Sequence, residues 1–320
     1  RQKCAGECRT RMASTATTSA SARTELRPVP KTENFQWYVE QVGRGEIHGH
    51  ALARTLATGS SKFQDYAIVE SPLFGKMLVL DGDTQSSALD EHIYHEALVH
   101  PACVACGGSP TRALILGGGE GATLRELLRV PGMGKVTMVD IDGEVVDVCR
   151  RYLPEWSAGA FEDARVDVVI GDAKEYIFAS REQFDVIIGD LTEPLDDSPS
   201  AGLHTSQMYE GIRARLKPNG TYALQASMSG PHNYHMHARM VARLKDVFSN
   251  VYPFSAYVPA FDTEWGFALC GGELDMASEN AANAARVYAR KCGGLRYYDA
   301  ESNRRLFNLP RYLREAYEPS

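Results

Sequence analysis

Four apolar runs, each ending on an acid or leading into one, constrain this chain more than any other feature. "RALILGG" begins at Arg112, "KVTMVDID" at Lys135, "RVDVVIGD" at Arg165 and "FDVIIGD" at Phe184. Nearly continuous apolar strands fit a parallel sheet with helices on both faces. Helical patterns accompany them: "ATLRELLRV" and "GEVVDVCRRYL" between the runs, "SQMYEGIRARL" and "YHMHARMVARLKDVF" beyond the last. "GTYALQAS", "SAYVPAF" and "WGFALCG" add three strand candidates. The expected fold class is α/β, a doubly wound sheet occupying residues 92–280.

Residues 34–91 read differently, as a small β domain. "QDYAIVES" and "KMLVLDG" are strand-like and "PLFG" between them is a turn, with at most one short helical stretch interrupting the domain. Residues 1–33 carry seven Lys/Arg and three acids around "MASTATTSASA" and cannot build a core. They read as a disordered tail or, with Met12 as a start, a plastid transit peptide. The expected location is cytoplasmic, or plastid in the second case. Residues 281–320, polar with aromatic punctuation, read as a C-terminal extension of a helix and a trailing segment.

Charge and composition remove several classes. The net charge of −7 argues against a nucleic-acid partner, and no apolar run reaches membrane-spanning length. Seven scattered cysteines fit a reducing compartment better than a disulfide framework. Cys103-x-x-Cys106 lacks a second pair at metal spacing, and the histidines of "HNYHMH", His232 to His237, lack a partnering carboxylate; no metal is expected. From Glu182 to Ile212 there are seven acids and no Lys or Arg, which beside a strand end reads as an electrostatic funnel for a cation.

In doubly wound sheets ligands sit beyond the carboxyl ends of the strands. The first run here gives Gly117-Gly118-Gly119-Glu120-Gly121, the second Asp140, the third Asp172 followed by Ala173, the fourth Asp190 and Glu193. Asp140 lies 21 residues after Gly119, the spacing of an acid that grips ribose hydroxyls. Asp142 can cap the following helix and leave Asp140 free. An adenosine-containing ligand is implied, but a pyrophosphate would meet Glu120, which no neighbouring base offsets. The Lys-Ser/Thr ending of a phosphate loop is absent as well. S-adenosylmethionine fits better, and its decarboxylated form best, since it presents only an ammonium and a sulfonium to Glu120.

"LVLDGDTQSSALDEHIYHEALVHPA", "GGGEGATLRELL", "VDIDGEVV", "GDAKEY" and "GDLTEP" follow one another from about Trp37 to Cys270. In this order they resemble the signatures of the polyamine aminopropyltransferases, the spermidine and spermine synthases. "DLTEP" and "VPAFDTEWGF" are similar to the plant-type thermospermine synthases, whereas spermidine synthases carry a Tyr-Pro-Ser-Gly stretch at the latter place. The resemblance implies a Rossmann-like methyltransferase-type domain behind an N-terminal β-sheet domain, and a homodimer or homotetramer. It implies that Gln64 and Leu80 touch the nucleoside and sulfonium side of decarboxylated S-adenosylmethionine, with Gly117 and Gly119 in the loop beside it. Asp140 then binds the ribose, Asp172 and Ala173 the adenine, and Glu120 the aminopropyl amine. Gln85, Tyr94 and His95 line a polyamine channel, with Phe261 and Trp265 as further walls. Asp190 is the catalytic acid. Glu193 departs from the Asp most members carry.

The implied reaction needs no metal or redox cofactor, because the sulfonium supplies the leaving group. An amine with a lysine-like pKa is neutral in roughly one part per thousand at pH 7, a cost of about 4 kcal/mol. Asp190 is therefore read as the general base that takes the proton as the amine attacks. The expected acceptor is spermidine, giving thermospermine or spermine and 5′-methylthioadenosine. The alternatives are a spermidine synthase using putrescine, an S-adenosylmethionine-dependent methyltransferase and a non-catalytic polyamine-binding protein. "LDDSPSAGLH", after Glu193, reads as a mobile lid.

Overall fold

Glycine and proline punctuation cuts the first part of the chain into strands, with no helix before Glu91 among the described residues. In a computed structural model that describes residues 35–43, 45–193 and 201–318, β1 (Gln36–Gly43) and β2 (Glu46–Leu52) form an antiparallel hairpin. Then β3 (Arg54–Ser60), β4 (Asp65–Ser71), β5 (Gly75–Leu80) and β6 (Asp83–Ser87) form a four-stranded antiparallel sheet in sequence order. The short helix allowed for in this region is absent among the described residues. Alternation along β4 and β5 gives the sheet two buried faces. Ile68 and Leu78 pack with Val145, Cys149, Leu153 and Trp156, while Val69, Met77 and Val79 pack against Tyr38 and Leu52 of the hairpin.

The second part runs α1 (Glu91–Ala105), β7 (Arg112–Gly117), α2 (Ala122–Leu128), β8 (Lys135–Asp140), α3 (Gly143–Tyr152), α4 (Pro154–Ser157), β9 (Val166–Ile170), α5 (Ala173–Ala179), β10 (Phe184–Asp190), α6 (Ser206–Ala214), β11 (Leu216–Met228), α7 (His235–Lys245), β12 (Val251–Val258) and β13 (Thr263–Gly271). Its seven strands lie in the order β12-β13-β11-β10-β7-β8-β9. The five from β11 to β9 are parallel, and β13 runs antiparallel to both β11 and β12. This is the Rossmann-like, methyltransferase-type sheet expected. Along β7, Ala113 and Ile115 face one core and Leu114 and Leu116 the other, which is why the run is apolar throughout. The same reading fails for β9. It is an edge strand whose Val169 and Ile170 are 36% and 54% exposed.

The C-terminal extension, described to residue 318, packs into the core. α8 (Glu279–Cys292), α9 (Ala300–Phe307) and α10 (Arg311–Ala316) follow β13, and Ala281, Ala285, Tyr288, Tyr298, Leu306 and Phe307 enter the core shared with α1. Buried Glu96 of α1 pins the segment by accepting the amides of Arg296, Tyr297 and Tyr298, each at 2.8 Å. From Gln36 onward the chain is one compact unit. The tail or transit peptide read for residues 1–33 lies outside the described residues.

Candidate active site

Successive strands leave β7 in opposite directions, β8 and β9 to one side and β10 and β11 to the other, so the sheet has its switch point between β7 and β10. There Gly117 and Asp190 are register partners. Gly117 has φ +83°, and any side chain would strike the Asp190 carbonyl; only glycine lets the two strand ends part this closely. Two cavities of about 370 and 490 Å³ open above this point and share Gln64, Leu80, Gln85, Tyr94, Leu191 and Thr192 as walls.

The smaller lobe is lined by the glycine loop, Glu120, Asp140, Asp172, Ala173 and Asp190. A Cβ on Gly119 would stand 2.8 Å from Asp140 Oδ2, so the glycine admits this carboxylate. Burial, more than the Asp142 charge, raises the Asp140 carboxyl to about 6, with the Asp142 and Gly119 amides working against the rise. Asp142 is the cap of α3, accepting Glu144 and Val145 amides at 3.2 Å, and its other oxygen accepts Gln64 Nε2 at 2.9 Å. Asp172 caps α5 through the Lys174 and Glu175 amides at 2.6 and 3.4 Å while still facing the lobe.

The larger lobe holds six carboxylates, Glu40, Glu46, Asp81, Asp83, Glu193 and Asp262, against the imidazoles of His48 and His232; among the described residues lining it there is no Lys or Arg. Phe261 and Trp265 form an apolar wall, their ring centroids 4.8 Å apart. Burial and then repulsion from Glu40, Glu193 and Asp81 carry the Asp83 carboxyl up to about 6. Burial also raises Glu193, with the Ser227 hydroxyl and Met228 amide opposing it. Glu40, 5% exposed, goes the other way. Burial opposes its charge, but His50 and the Thr84 amide hold its carboxyl below the usual range.

Asp190 lines the smaller lobe and borders the larger one through Tyr94 and Leu191, which both lobes share. Tyr94 Oη donates to its Oδ1 at 3.0 Å and Thr123 Oγ1 to its Oδ2 at 2.6 Å. A carboxylate held from both sides keeps one orientation. It retains further lone pairs for a third donor from the cavity.

The structure thus places Gln64, Leu80, Gln85, Tyr94, Gly117, Gly119, Glu120, Asp140, Asp172, Ala173, Asp190, Glu193, Phe261 and Trp265 on the walls of one two-lobed cavity. His95 alone among the candidates is off the wall. At 1% exposure it sits behind Glu120, its Nε2 2.5 Å from Glu120 Oε1. This also corrects the expectation that no base offsets Glu120; the base comes from α1, far away in sequence. The acidic run does not act as a unit. Glu182 pairs with Arg112 and Asp185 with Lys217 at the opposite end of β10, a strand's length from Asp190. Residues 195–200 of the lid candidate lie outside the described residues. Its end, Ala201–Leu203, is a short 3₁₀ turn whose Gly202 and Leu203 line the smaller lobe.

Among the described residues no cluster of His, Cys, Asp and Glu is arranged to hold a metal. The "HNYHMH" imidazoles diverge. His232 pairs with Glu46 at 3.1 Å, whereas His237 is buried against the Ala226 carbonyl, its pKa lowered by burial to about 4. Cys103 is buried and Cys106 partly so, and burial first of all raises both thiols, Cys106 to about 12. No described helix is long and apolar enough to cross a membrane.

Sequence reasoning missed Thr123, which stands inside the quoted "GGGEGATLRELL", and the carboxylates of β1, β2 and the β5–β6 turn. Asp81 and Asp83 lay within "LVLDGDTQ" and could have been noticed. Glu40 carries no local signal; only the docking of the hairpin brings it in.

Comparison with known proteins gives the same result over nearly the whole described chain. Residues 91–280 match the spermine/spermidine synthase domain and residues 36–87 the spermidine synthase tetramerisation domain. The sequence is 40% identical over 290 residues to the polyamine aminopropyltransferase of Synechococcus sp. (strain JA-2-3B'a(2-13)), covering 88% of this chain and 93% of that protein. It is 42% identical over 286 residues to the one from Sulfolobus acidocaldarius, covering 89% and 94%. The spermidine synthase of Thermotoga maritima superposes with a TM-score of 0.80 at 27% identity, covering 92% of this chain and 98% of that one. A spermidine synthase solved with the transition-state analogue AdoDATO superposes with a TM-score of 0.82, also at 27% identity and with the same coverage.

Proposed function

This chain belongs to the spermine/spermidine synthase family, and from that premise we propose an aminopropyl transfer from decarboxylated S-adenosylmethionine to spermidine. Polyamine aminopropyl transfer is the activity its relatives share. Donor, acceptor and residue roles are the finer reading. The observation that carries it is the larger lobe, six carboxylates in a cavity one of whose walls, Tyr94, is hydrogen-bonded to Asp190. A diamine attacking through one nitrogen leaves one distant ammonium to hold; a triamine leaves two, and this lobe offers carboxylates for both. The second reading, putrescine as acceptor, is favoured by the two solved spermidine synthase structures that share the fold.

In the smaller lobe Asp140 takes the ribose, Asp172 and Ala173 the adenine, Gln64 and Leu80 the sulfonium side, and Glu120 the aminopropyl ammonium. The acceptor's methylenes run along Tyr94, Phe261 and Trp265, and Gln85 lies at the passage between the lobes. The attacking nitrogen's lone pair forms a bond to the propyl carbon on sulfur as the C–S bond breaks. The bonding pair stays on sulfur, giving neutral 5′-methylthioadenosine, and Asp190 receives the amine's proton. No electrons are transferred to or from a cofactor. Holding nitrogen, carbon and sulfur in line lowers the barrier by several kcal/mol, within the range for oriented reactants.

The N-terminal hairpin supplies the assembly surface in this reading. Trp37, Val39 and Ile47 are 51%, 52% and 67% exposed on its outer side, in the segment that matches a tetramerisation domain. The protein is therefore proposed to be a homo-oligomer. The acceptor is tested by chromatography of the products from decarboxylated S-adenosylmethionine with spermidine or putrescine. Thermospermine or spermine as the preferred product supports the reading; efficient spermidine formation with no tetraamine refutes it.

A further inference from the structure

Behind Glu120 six residues from five parts of the fold close a hydrogen-bonded circuit. Arg125 of α2 grips Glu91 of α1 with both terminal nitrogens, at 3.1 and 2.8 Å, and donates to the Trp156 carbonyl at 2.7 Å. Trp156 Nε1 donates to Ser86 Oγ at 2.9 Å, and Ser86 donates to Glu120 Oε2 at 2.5 Å. His95 completes the ring. Its Nδ1 lies 2.6 Å from the Glu91 carbonyl and 3.1 Å from Glu91 Oε2, and its Nε2 faces Glu120 Oε1. Glu91, His95 and Arg125 line neither lobe of the cavity.

Both neighbours of Nδ1 are acceptors, so Nδ1 carries a hydrogen. A neutral ring would then turn the bare lone pair of Nε2 toward a carboxylate oxygen. One proton must lie between His95 and Glu120, giving either imidazolium and carboxylate or neutral imidazole and carboxylic acid. We propose that Glu91, a positioning residue outside the cavity, keeps this proton on His95 and so keeps Glu120 an anion. The consequence for the cosubstrate rests on the reading above that Glu120 meets its ammonium.

Burial alone favours the neutral pair, since Glu91, His95 and Glu120 are 7%, 1% and 9% exposed. The fixed charge of Glu91 reverses that preference. Burial opposes the His95 charge, yet Glu120 and Glu91 lift its pKa well above the ordinary imidazole value. Glu91 remains ionised because His95 and Arg125 outweigh its own burial and draw its carboxyl down to about 2. The other titratable groups around the pair are Tyr94, ring to ring with His95 at 5.0 Å, and Cys149 from α3, with Asp190 reaching Tyr94 from β10. None of them supplies a positive charge that would move the proton back.

The test is Glu91→Gln, which keeps size and an acceptor for Nδ1 but removes the charge. Difference infrared spectroscopy of the unliganded protein should show a new protonated-carboxyl band, abolished in the double variant with Glu120→Gln. Calorimetry should show affinity for decarboxylated S-adenosylmethionine falling about tenfold with that for methylthioadenosine, which has no ammonium, unchanged. Absence of the band overturns the proposal, as does an equal loss for both ligands, which marks Glu91 as mere structural support. A new band with unaltered ligand preference, together with an unaffected Glu120→Gln variant, supports the proton bias and refutes instead the partner assigned to Glu120. If Glu91→Gln does not fold, nitrogen NMR of the wild-type protein decides: an imidazolium at His95 through about pH 8 supports the proposal and a neutral ring overturns it.

Discussion

Asp83 offers the most direct handle on why the larger lobe is so acidic. Burial comes first and then Glu40, Glu193 and Asp81, in that order, carrying its carboxyl from 3.8 to about 6 although the side chain still reaches cavity solvent. At about pH 6 it is half protonated, and an arriving ammonium displaces what proton remains, so acceptor binding should release about half a proton from this group. Near pH 8 the release should vanish. The assay is calorimetric titration of spermidine into the protein saturated with methylthioadenosine, repeated in buffers of different ionisation enthalpy. Asp83→Asn serves as the reference, because the proton lost by the attacking nitrogen is common to both proteins and cancels. A zero difference at pH 6, or one that grows toward pH 8, would refute the repulsion argument. The stability sign is also fixed. The folded pKa exceeds the unfolded one, so the group opposes folding fully above about pH 6 and ceases to do so below about pH 4. Unliganded Asp83→Asn should therefore melt higher than wild type at pH 8, with the gain disappearing in acid.

Three further outcomes follow from the geometry. Asp190→Asn keeps acceptors and donors for Tyr94 and Thr123 and should leave the melting curve nearly unchanged, while single-turnover transfer slows a hundredfold or more, the usual scale for a lost general base; near-normal transfer would remove Asp190 from that role. Glu120→Gln should weaken decarboxylated S-adenosylmethionine more than methylthioadenosine in calorimetry, and equal losses would count against an ammonium contact. Gly119→Ala directs a methyl to within 2.8 Å of Asp140 Oδ2. The carboxylate can swing away, so methylthioadenosine affinity should fall about tenfold with little change in stability; unchanged affinity would show that Asp140 does not hold the nucleoside.

Strands buried on two faces announce themselves, and β7, β8 and β10 were legible for that reason, as were the acids that end them. β9 was misjudged because an edge strand can carry the same apolar letters with one side open to solvent. Asp142 was legible as a cap because capping is local. The contacts that tune the site are long-range and have no periodicity to betray them. His95 reaches Glu120, Tyr94 and Thr123 reach Asp190 from two different helices, and Glu40 arrives on a separate hairpin. The docking of the C-terminal extension was not legible for a similar reason: its anchor is Glu96, whose partners lie some 200 positions away.

The decisive measurement is cosubstrate choice. With spermidine present, the protein should release methylthioadenosine and elongate the amine when given decarboxylated S-adenosylmethionine, and should do neither with the intact molecule. Methyl transfer from intact S-adenosylmethionine, with the decarboxylated form inert, would contradict the claim that this cavity is built around positive charge.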